Sequence, residues 1–349
     1  MIIGVPLPHN YQSMRHLILI LFLAIGLTAF PDRPALVFIT LGQSNADGSA
    51  FPDKDEDARL RAWYESEDNP HLAKMWYHAC YVQNLETNAV GDKARIVADA
   101  PHDKKDAESG WMNLWFRNEN RLGRTAMNMI HSCGTWSTGE GIWTAQGRRG
   151  MEPQLGILIQ EALPGVPVYF LKLGASGSHI SAWANPQDDR NWTFFKDKIF
   201  KPAMQSLKDE GLIPVICGIW WMQGCADAHR DSSYYRNSLE TLVRRLNTEL
   251  GSPCPPVFIG HIVKPGEQTD APDTSVQFGQ GVRDAQDAVA AEYDNVEIIN
   301  TALCSHQYEK GFGGHLHIDH KGQNQIAYML SPLVISSWKQ QTSHMHLDP

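Results

Sequence analysis

The chain lacks several features that would assign it to a common class. Its 349 residues carry no excess of positive charge, since 30 Lys and Arg stand against 39 Asp and Glu, a formal net charge of -9. Nucleic-acid surfaces need clustered Lys and Arg, so no nucleic-acid partner is expected. The six cysteines contain no Cys-x-x-Cys pair, which argues against a structural zinc site and a thioredoxin-like redox pair. Internal repeats and low-complexity segments are also missing.

A short apolar run near the N-terminus predicts export. Arg15 and His16 precede the run 17–27, and small residues follow it. This order is typical of a secretory signal peptide, and the run is shorter than the roughly 20 residues of a spanning helix. We therefore predict that residues 1–30 are a cleaved signal peptide and that the protein is secreted or periplasmic, without stable membrane insertion. An uncleaved membrane anchor is the alternative. In an exported chain the even number of cysteines permits disulfides.

Apolar runs further along the chain predict a parallel sheet. Five of them have the length of buried strands: Leu36 to Leu41, Val166 to Leu173, Pro214 to Met222, Val257 to Ile262 and Val296 to Ile299. Segments with helical periodicity accompany the later runs: 194–210, 233–250, 275–293 and 323–338. This alternation predicts a three-layer α/β/α fold with a mostly parallel five-stranded sheet. The functional site of such a sheet lies beyond the carboxyl ends of its strands.

The connection between the first two runs is too long for a single helix. It spans about 120 residues, and loops of that length are functional or carry their own structure. We predict one domain over residues 31–340, with an insert at about 51–150 and a tail at 341–349. The insert is rich in tryptophan, which could form its core or stack on sugars: Trp63, Trp76, Trp111, Trp115, Trp136 and Trp143.

The first apolar run ends in Gly42-Gln43-Ser44-Asn45. A serine at a turn from strand to helix exposes its hydroxyl at the carboxyl edge of the sheet, near the positive end of a helix dipole. The hydroxyl becomes a nucleophile when a base removes its proton, and His317 is the candidate base and acid. The alternative is that Ser44 is only a helix N-cap.

Five sequence blocks, in the same order, resemble those of the SGNH hydrolases. The branch is that of the sialate O-acetylesterases and the acetylxylan esterases of carbohydrate esterase family six. The blocks are Gly42 to Asn45, Ser176 to Trp183, Trp221 to Asp227, Val282 to Gln286, and His317 with Gly322. The resemblance implies a flavodoxin-like fold and a serine esterase that removes O-acetyl groups from sialic acid, xylan or a related glycan. It implies an acyl-enzyme on Ser44, an acetylated carbohydrate as partner, and no cofactor or metal. Nothing in the sequence indicates the oligomeric state.

The resemblance also assigns roles to individual residues. The backbone N–H groups of Ser44 and Gly177 and the side-chain amide of Gln223 are expected to form an oxyanion hole. Contacts with substrate are expected from four further residues: Gln43, Asn45, Trp183 and Asp227.

Two departures from the family pattern concern the acid that orients the catalytic histidine. Relatives carry Asp three residues before this histidine and Glu after Gln-Gly, but here Gly314 and Cys225 occupy these positions. Three hypotheses follow: a Ser-His dyad with a backbone carbonyl or water orienting the ring, an acid supplied by the insert, or a catalytically impaired carbohydrate-binding relative. Asp319 is predicted to be an N-cap, and Cys225 a buried thiol or disulfide partner. Activity that depends on neutral His317 should rise with pH through about 6.5.

A metal site is the competing interpretation of the histidine block. His315, His317, Asp319 and His320 fit the pattern His-x-His-x-Asp-His, which has suitable zinc ligands. A zinc site built on this pattern needs further ligands downstream, where the sequence predicts only a helix and a tail. This counts against the metal site, and a zinc-dependent hydrolase using these four residues is kept as the alternative enzyme.

Overall fold

The computed structural model describes ten segments of the chain: residues 33–50, 53–66, 73–77, 110–113, 150–175, 177–251, 254–262, 278–309, 314–343 and 345. The predicted signal peptide and most of the predicted insert lie outside these residues. Within these segments, no helix combines the length and apolar character needed to cross a membrane.

A seven-stranded sheet forms the centre of the fold. Its strands are β1 (Arg33–Gly42), β2 (Ala73–Tyr77), β3 (Gly110–Asn113), β4 (Val168–Gly174), β5 (Leu212–Met222), β6 (Val257–Gly260) and β7 (Val296–Ile299). They lie in the order β3-β2-β4-β1-β5-β6-β7, and all neighbours are parallel except β2 and β3. The five predicted strands are five adjacent strands of this sheet, so the predicted mostly parallel sheet is confirmed. The strand count differs because β2 and β3, in the insert, extend it.

Helices lie on both faces of the sheet. They are α1 (Ser44–Asp47), α2 (Lys54–Glu65), α3 (Glu152–Ala162), α4 (Ser181–Ala184), α5 (Arg190–Phe194), α6 (Lys201–Asp209), α7 (Ser232–Glu249), α8 (Gln280–Glu292) and α9 (His320–Thr342). A π-helical turn, Phe195–Phe200, joins α5 to α6. Helix α9 extends beyond its predicted range at both ends and enters the predicted tail.

Strand β1 contributes to the core on both sides of the sheet. Val37 and Ile39 pack in the cluster formed with α6, α7 and α8, whereas Leu36 and Phe38 pack in the cluster formed with α2, α3 and α9. Side chains alternate along a strand, so a strand covered on both faces must be apolar at successive positions. This explains the continuous apolar run and confirms the three-layer architecture.

The described tryptophans of the insert are packing residues. Trp76 and Trp111 meet edge to face with ring centroids 5.0 Å apart, and Trp111 packs in the same way on Tyr169 of β4 at 4.6 Å. Trp63 packs against the core beside Tyr64. These three rings attach the described parts of the insert to the sheet domain. The other three tryptophans of the insert lie outside the described residues.

A completely buried ion pair links β4 to the start of α3. Lys172 Nζ lies 3.0 Å from Glu152 Oε1, and the hydroxyl of Thr40, beside Lys172 in the sheet, donates to the same oxygen at 3.0 Å. Neither charged residue is accessible to solvent. Burial of a charge is costly unless it is paired and hydrogen-bonded. This arrangement satisfies both conditions.

The four cysteines within the described segments are free thiols: Cys217, Cys225, Cys254 and Cys304. The even number of cysteines therefore does not lead to complete disulfide pairing.

A separate two-stranded sheet precedes α9. Its strands, β8 (His306–Glu309) and β9 (Gly314–Ile318), are antiparallel and do not join the central sheet. No strand was predicted here, because the segment is polar and has no apolar run. Strand β9 carries His317.

Candidate active site

The three central strands end at the same level. Gly42 is the last residue of β1 and lies beside the last residues of β4 and β5, Gly174 and Met222. The backbone N–H of Gln43 donates to Met222 O at 3.0 Å, and that of Ala175 donates to Gly42 O at 2.8 Å. The loops that follow these strands therefore meet at the carboxyl edge of the sheet, where a site was predicted.

Gly42 permits the turn that presents the serine. Its φ is 143°, and a Cβ atom at this position would lie 2.1 Å from Met222 O. Only glycine allows both this backbone conformation and this close approach. Gln43 then forms the N-cap of α1, and Ser44 is the first residue of the helix. Ser44 is therefore not the N-cap, which removes the alternative considered for it.

Ser44 and His317 are in hydrogen-bond contact. The distance from Ser44 Oγ to His317 Nε2 is 2.9 Å, and the two residues are 7% and 6% exposed. This distance is within the range for proton transfer from a nucleophile to a general base. The structure thus brings together the two residues predicted to be catalytic.

The amide of Asn45 contacts the strand that carries His317. Asn45 Oδ1 accepts a hydrogen bond from the N–H of Ile318 at 2.9 Å, and its Nδ2 donates to the carbonyl of Leu316 at 3.2 Å. Gln323 of α9 in turn donates to the backbone carbonyl of Asn45 at 3.3 Å. Asn45 therefore binds the backbone on both sides of His317.

The amide of Gln43 contacts a different loop. Its Oε1 accepts hydrogen bonds from the N–H groups of Gly224 and Ala226, at 3.1 and 3.2 Å. These residues follow β5, in the block that contains Gln223. The two amides that flank Ser44 thus attach this residue to the two other segments of the site. This explains why an apolar strand ends in Gly-Gln-Ser-Asn.

Gln223 is completely buried and uses its side chain within the protein. Its Nε2 donates to Ser178 O at 3.0 Å and to Asp227 Oδ2 at 2.7 Å, while its Oε1 lies 2.9 Å from the hydroxyl of Tyr235. Burial raises the pKa of Tyr235 well above its usual range, so this hydroxyl stays protonated and can donate. Both amide hydrogens of Gln223 have acceptors, which favours a role in holding the two loops. Donation by Gln223 to an oxyanion stays a prediction.

Asp227 joins the loops after β4 and β5. Besides Gln223, its carboxylate accepts a hydrogen bond from the N–H of Ile180 at 2.8 Å and lies 2.9 Å from His179 Nδ1. The Asp227 side chain is 0% exposed, whereas that of His179 is 52% exposed. Sequence reasoning missed His179 and Tyr235. For His179 the signal was its position in the second block, two residues after Gly177.

Gly177 lies in the tight turn that follows β4. The turn is closed by a hydrogen bond from Ser178 N to Ala175 O at 3.0 Å, and Gly177 has a φ of 71°. Trp183 donates from its indole to the hydroxyl of Ser178 at 3.2 Å and packs edge to face on Trp221. Trp183 therefore holds in place the turn that is predicted to supply an oxyanion donor.

The four residues predicted to contact substrate are all buried: Gln43, Asn45, Trp183 and Asp227. Their polar groups bond to other parts of the protein, as described above. These contacts favour positioning roles, and direct contact with substrate stays a prediction.

The two positions where relatives carry a carboxylate do not supply one here. Cys225 is half-buried, and burial raises its thiol pKa to about 12, so the thiol is neutral near pH 7. Gly314 is the first residue of β9. Asp319 is the N-cap of α9 and accepts from Gly322 N at 2.8 Å, as predicted.

Three of the four residues of the alternative zinc site, His317, Asp319 and His320, have separate partners. His317 faces Ser44, Asp319 caps α9, and His320 Nε2 lies 3.3 Å from Asp53 Oδ2. The side chain of His315 lies outside the described residues. No group of three or more potential metal ligands occurs within the described segments. The geometry therefore favours the serine site over the metal site.

The comparisons with known proteins show the family of the chain. A family model described as carbohydrate esterase, sialic acid-specific acetylesterase, matches residues 144–336, which is more than half of the chain. The protein therefore belongs to this carbohydrate esterase family. The matched range includes His317, Gly177 and Gln223, and Ser44 precedes it.

Solved structures share the fold. A protein from Arabidopsis thaliana is similar with a TM-score of 0.50 and 15% identity, over 87% of this chain and 98% of that one. NanS is similar with a TM-score of 0.52 and 12% identity, over 89% of this chain and 99% of that one. No curated protein sequence matches the chain significantly. At these identities the structural likeness supports the fold alone. The family match confirms the predicted resemblance to the sialate O-acetylesterases.

Proposed function

We propose that the protein is an exported serine esterase that removes O-acetyl groups from carbohydrate through an acyl-enzyme on Ser44. The observation that carries the proposal is the 2.9 Å contact between Ser44 Oγ and His317 Nε2 at the carboxyl edge of the sheet. Membership of the carbohydrate esterase family supports the substrate class. Export is proposed from the basic, apolar and small residues that begin the sequence.

The proposed reaction has two halves. As Ser44 Oγ attacks the acetyl carbonyl, His317 Nε2 takes the hydroxyl proton, and the N–H groups of Ser44 and Gly177 stabilise the oxyanion. The bond from the acetyl carbon to the sugar oxygen then breaks, and His317 donates its proton to that oxygen. In the second half, His317 removes a proton from water, which attacks the acetyl group on Ser44. The bond from the acetyl carbon to Ser44 Oγ then breaks, His317 returns the proton to Oγ, and acetic acid leaves.

Hydrolysis of para-nitrophenyl acetate tests the proposal. Wild type, Ser44→Ala and His317→Ala are compared with and without a chelator, and Ser343→Ala on the exposed end of α9 serves as the matched serine control. We expect turnover in the wild type and in Ser343→Ala, insensitivity to the chelator, and loss in the two site variants. An acetylated Ser44 peptide in acid-quenched reactions identifies the intermediate.

Two other outcomes overturn the proposal. Activity that survives Ser44→Ala and disappears with the chelator supports the zinc-dependent hydrolase. Binding of acetylated sugar without turnover, on either activated or natural esters, supports a carbohydrate-binding relative. If turnover is found, acetylated sialic acid and acetylated xylo-oligosaccharide, compared by kcat/KM, distinguish the two substrate classes that the family resemblance implies.

A further inference from the structure

We propose that Asn45 is a positioning residue for the general base, because its amide fixes the backbone on both sides of His317 and so sets the distance from Nε2 to Ser44 Oγ. This inference rests on the proposed roles of Ser44 and His317. It assigns to Asn45 a function in catalysis that does not involve contact with the sugar.

His317 lies outside the central sheet. Ser44 follows β1, which the backbone hydrogen bonds of the sheet hold in register, whereas His317 belongs to the separate β8–β9 sheet. Among the described residues, no backbone ladder connects these two sheets. The relative position of Ser44 and His317 therefore depends on contacts other than sheet pairing.

The Asn45 amide binds the β9 backbone at two points. A single side chain satisfies the carbonyl of Leu316 and the N–H of Ile318, so the backbone immediately before and after His317 is bound. Side chains alternate along a strand. The side chain of His317 therefore points to the opposite face of β9 from the side chains of Leu316 and Ile318. Since Asn45 follows Ser44 directly in α1, the nucleophile and the group that fixes the base belong to one short rigid turn.

A second described route between the two sheets is less direct. Gln307, opposite His317 in β8, donates to Ser49 O at 3.0 Å, and the hydroxyl of Ser49 donates to Ser44 O at 3.0 Å. This route passes through two residues and reaches the neighbouring strand. The contact through Asn45 acts on β9 itself. It operates on the backbone, and so it does not depend on which group orients the imidazole ring.

Two substitutions separate the two bonds of the amide. Asn45→Ala removes both bonds, whereas Asn45→Asp is nearly isosteric, keeps the acceptor for Ile318 N and loses the donor to Leu316 O. A small displacement of a catalytic group costs on the order of 10²-fold in rate. We therefore expect Asn45→Ala to lower kcat by roughly 10²-fold with little change in KM, and Asn45→Asp to lower it less.

The split between kcat and KM gives a readout that a merely structural role would not change. If Asn45 positions the base, Asn45→Ala should lose kcat at nearly unchanged KM. A rise in KM with unchanged kcat in Asn45→Ala would instead show that Asn45 binds substrate, and would overturn the proposal.

Asn295→Ala is the matched control for loss of a partly buried amide. Asn295 donates to Pro255 O at 2.8 Å and exchanges hydrogen bonds with Asn247, at the opposite end of β6 from the site. We expect it to lower stability without lowering kcat. If Asn45→Ala and Asn295→Ala lose stability equally and neither loses kcat, the proposal is wrong.

A measurement without substrate separates this proposal from the proposed function. Long-range NMR correlations of the His317 ring report whether Nε2 is hydrogen-bonded, and hydrogen exchange reports protection of the Ile318 amide. Both should be native-like in Asn295→Ala and lost in Asn45→Ala. Retention of both signals in Asn45→Ala overturns the positioning role. Absence of turnover in the wild type refutes the proposed function and leaves this test decisive.

Discussion

Ser44 Oγ and His317 Nε2 lie 2.9 Å apart although 273 positions separate the two residues in the chain. One follows the central strand β1 and the other belongs to a separate hairpin. Their contact places a hydroxyl and an imidazole in the same buried environment, which is the arrangement that the proposed function requires.

The first prediction concerns His317 and pH. Neutral imidazole accepts the serine proton and protonated imidazole cannot, so kcat/KM should fall as the solution becomes acidic. Replacement by Gln should lower kcat by about 10⁴-fold or more. Initial rates across the acidic to neutral range check both. A profile that is flat in this range would contradict the role of His317 as base.

The second prediction separates two roles of Gln223. If its amide stabilises the oxyanion, Gln223→Ala should lower kcat by roughly 10²-fold to 10³-fold, and Tyr235→Phe should have little effect. If Gln223 mainly holds the loops, Tyr235→Phe should also lower kcat, because Gln223 Oε1 loses its donor. We expect the second pattern, with a loss of about 1–3 kcal/mol in unfolding free energy for Tyr235→Phe. Steady-state kinetics and urea unfolding of both variants decide between the two roles.

The third prediction concerns the buried pair of Lys172 and Glu152. Removal of one partner leaves a buried charge without its counter-charge, so Lys172→Met should lower the unfolding free energy by about 3–5 kcal/mol. The double variant Lys172→Met with Glu152→Gln should recover part of this loss. Denaturant unfolding of the single and double variants measures the coupling. A single variant as stable as the wild type would show that the pair does not contribute in this way.

The fourth prediction concerns thiol reactivity. Burial raises the pKa of Cys225 to about 12 and that of Cys304 to about 12, so few thiolate ions form near neutral pH. We expect a thiol-alkylating reagent at neutral pH to label exposed Cys254 and to spare Cys225, with activity retained. Peptide mass spectrometry identifies the labelled sites, and Cys254→Ser is the control. Inactivation that follows labelling of Cys225 would assign this thiol a role in the reaction.

Local sequence patterns were sufficient for the main sheet, and the two residues predicted to be catalytic, Ser44 and His317, are in contact in the structure. Strands β1, β4 and β6 are buried at nearly every position, which explains their continuous apolar runs, whereas the edge strand β7 exposes Glu297. Strands β2 and β3 were missed because they are short and mixed in composition, and β8 and β9 because their positions depend on pairing with each other. The N-cap role of Asp319 was predicted correctly, since a cap depends on only a few neighbouring residues.

The sequence by itself determined the strand periodicity, the glycine that turns the chain before Ser44, and the order of the five blocks. These features depend on neighbours within a few positions. Only the tertiary structure showed that Gln43 binds the loop after β5 and that Asn45 binds the strand of His317. It also showed that Asp227, in the loop after β5, binds the loop after β4 at His179. These contacts link segments that are distant in sequence, and they form because the strands end at one edge and the hairpin packs beside them.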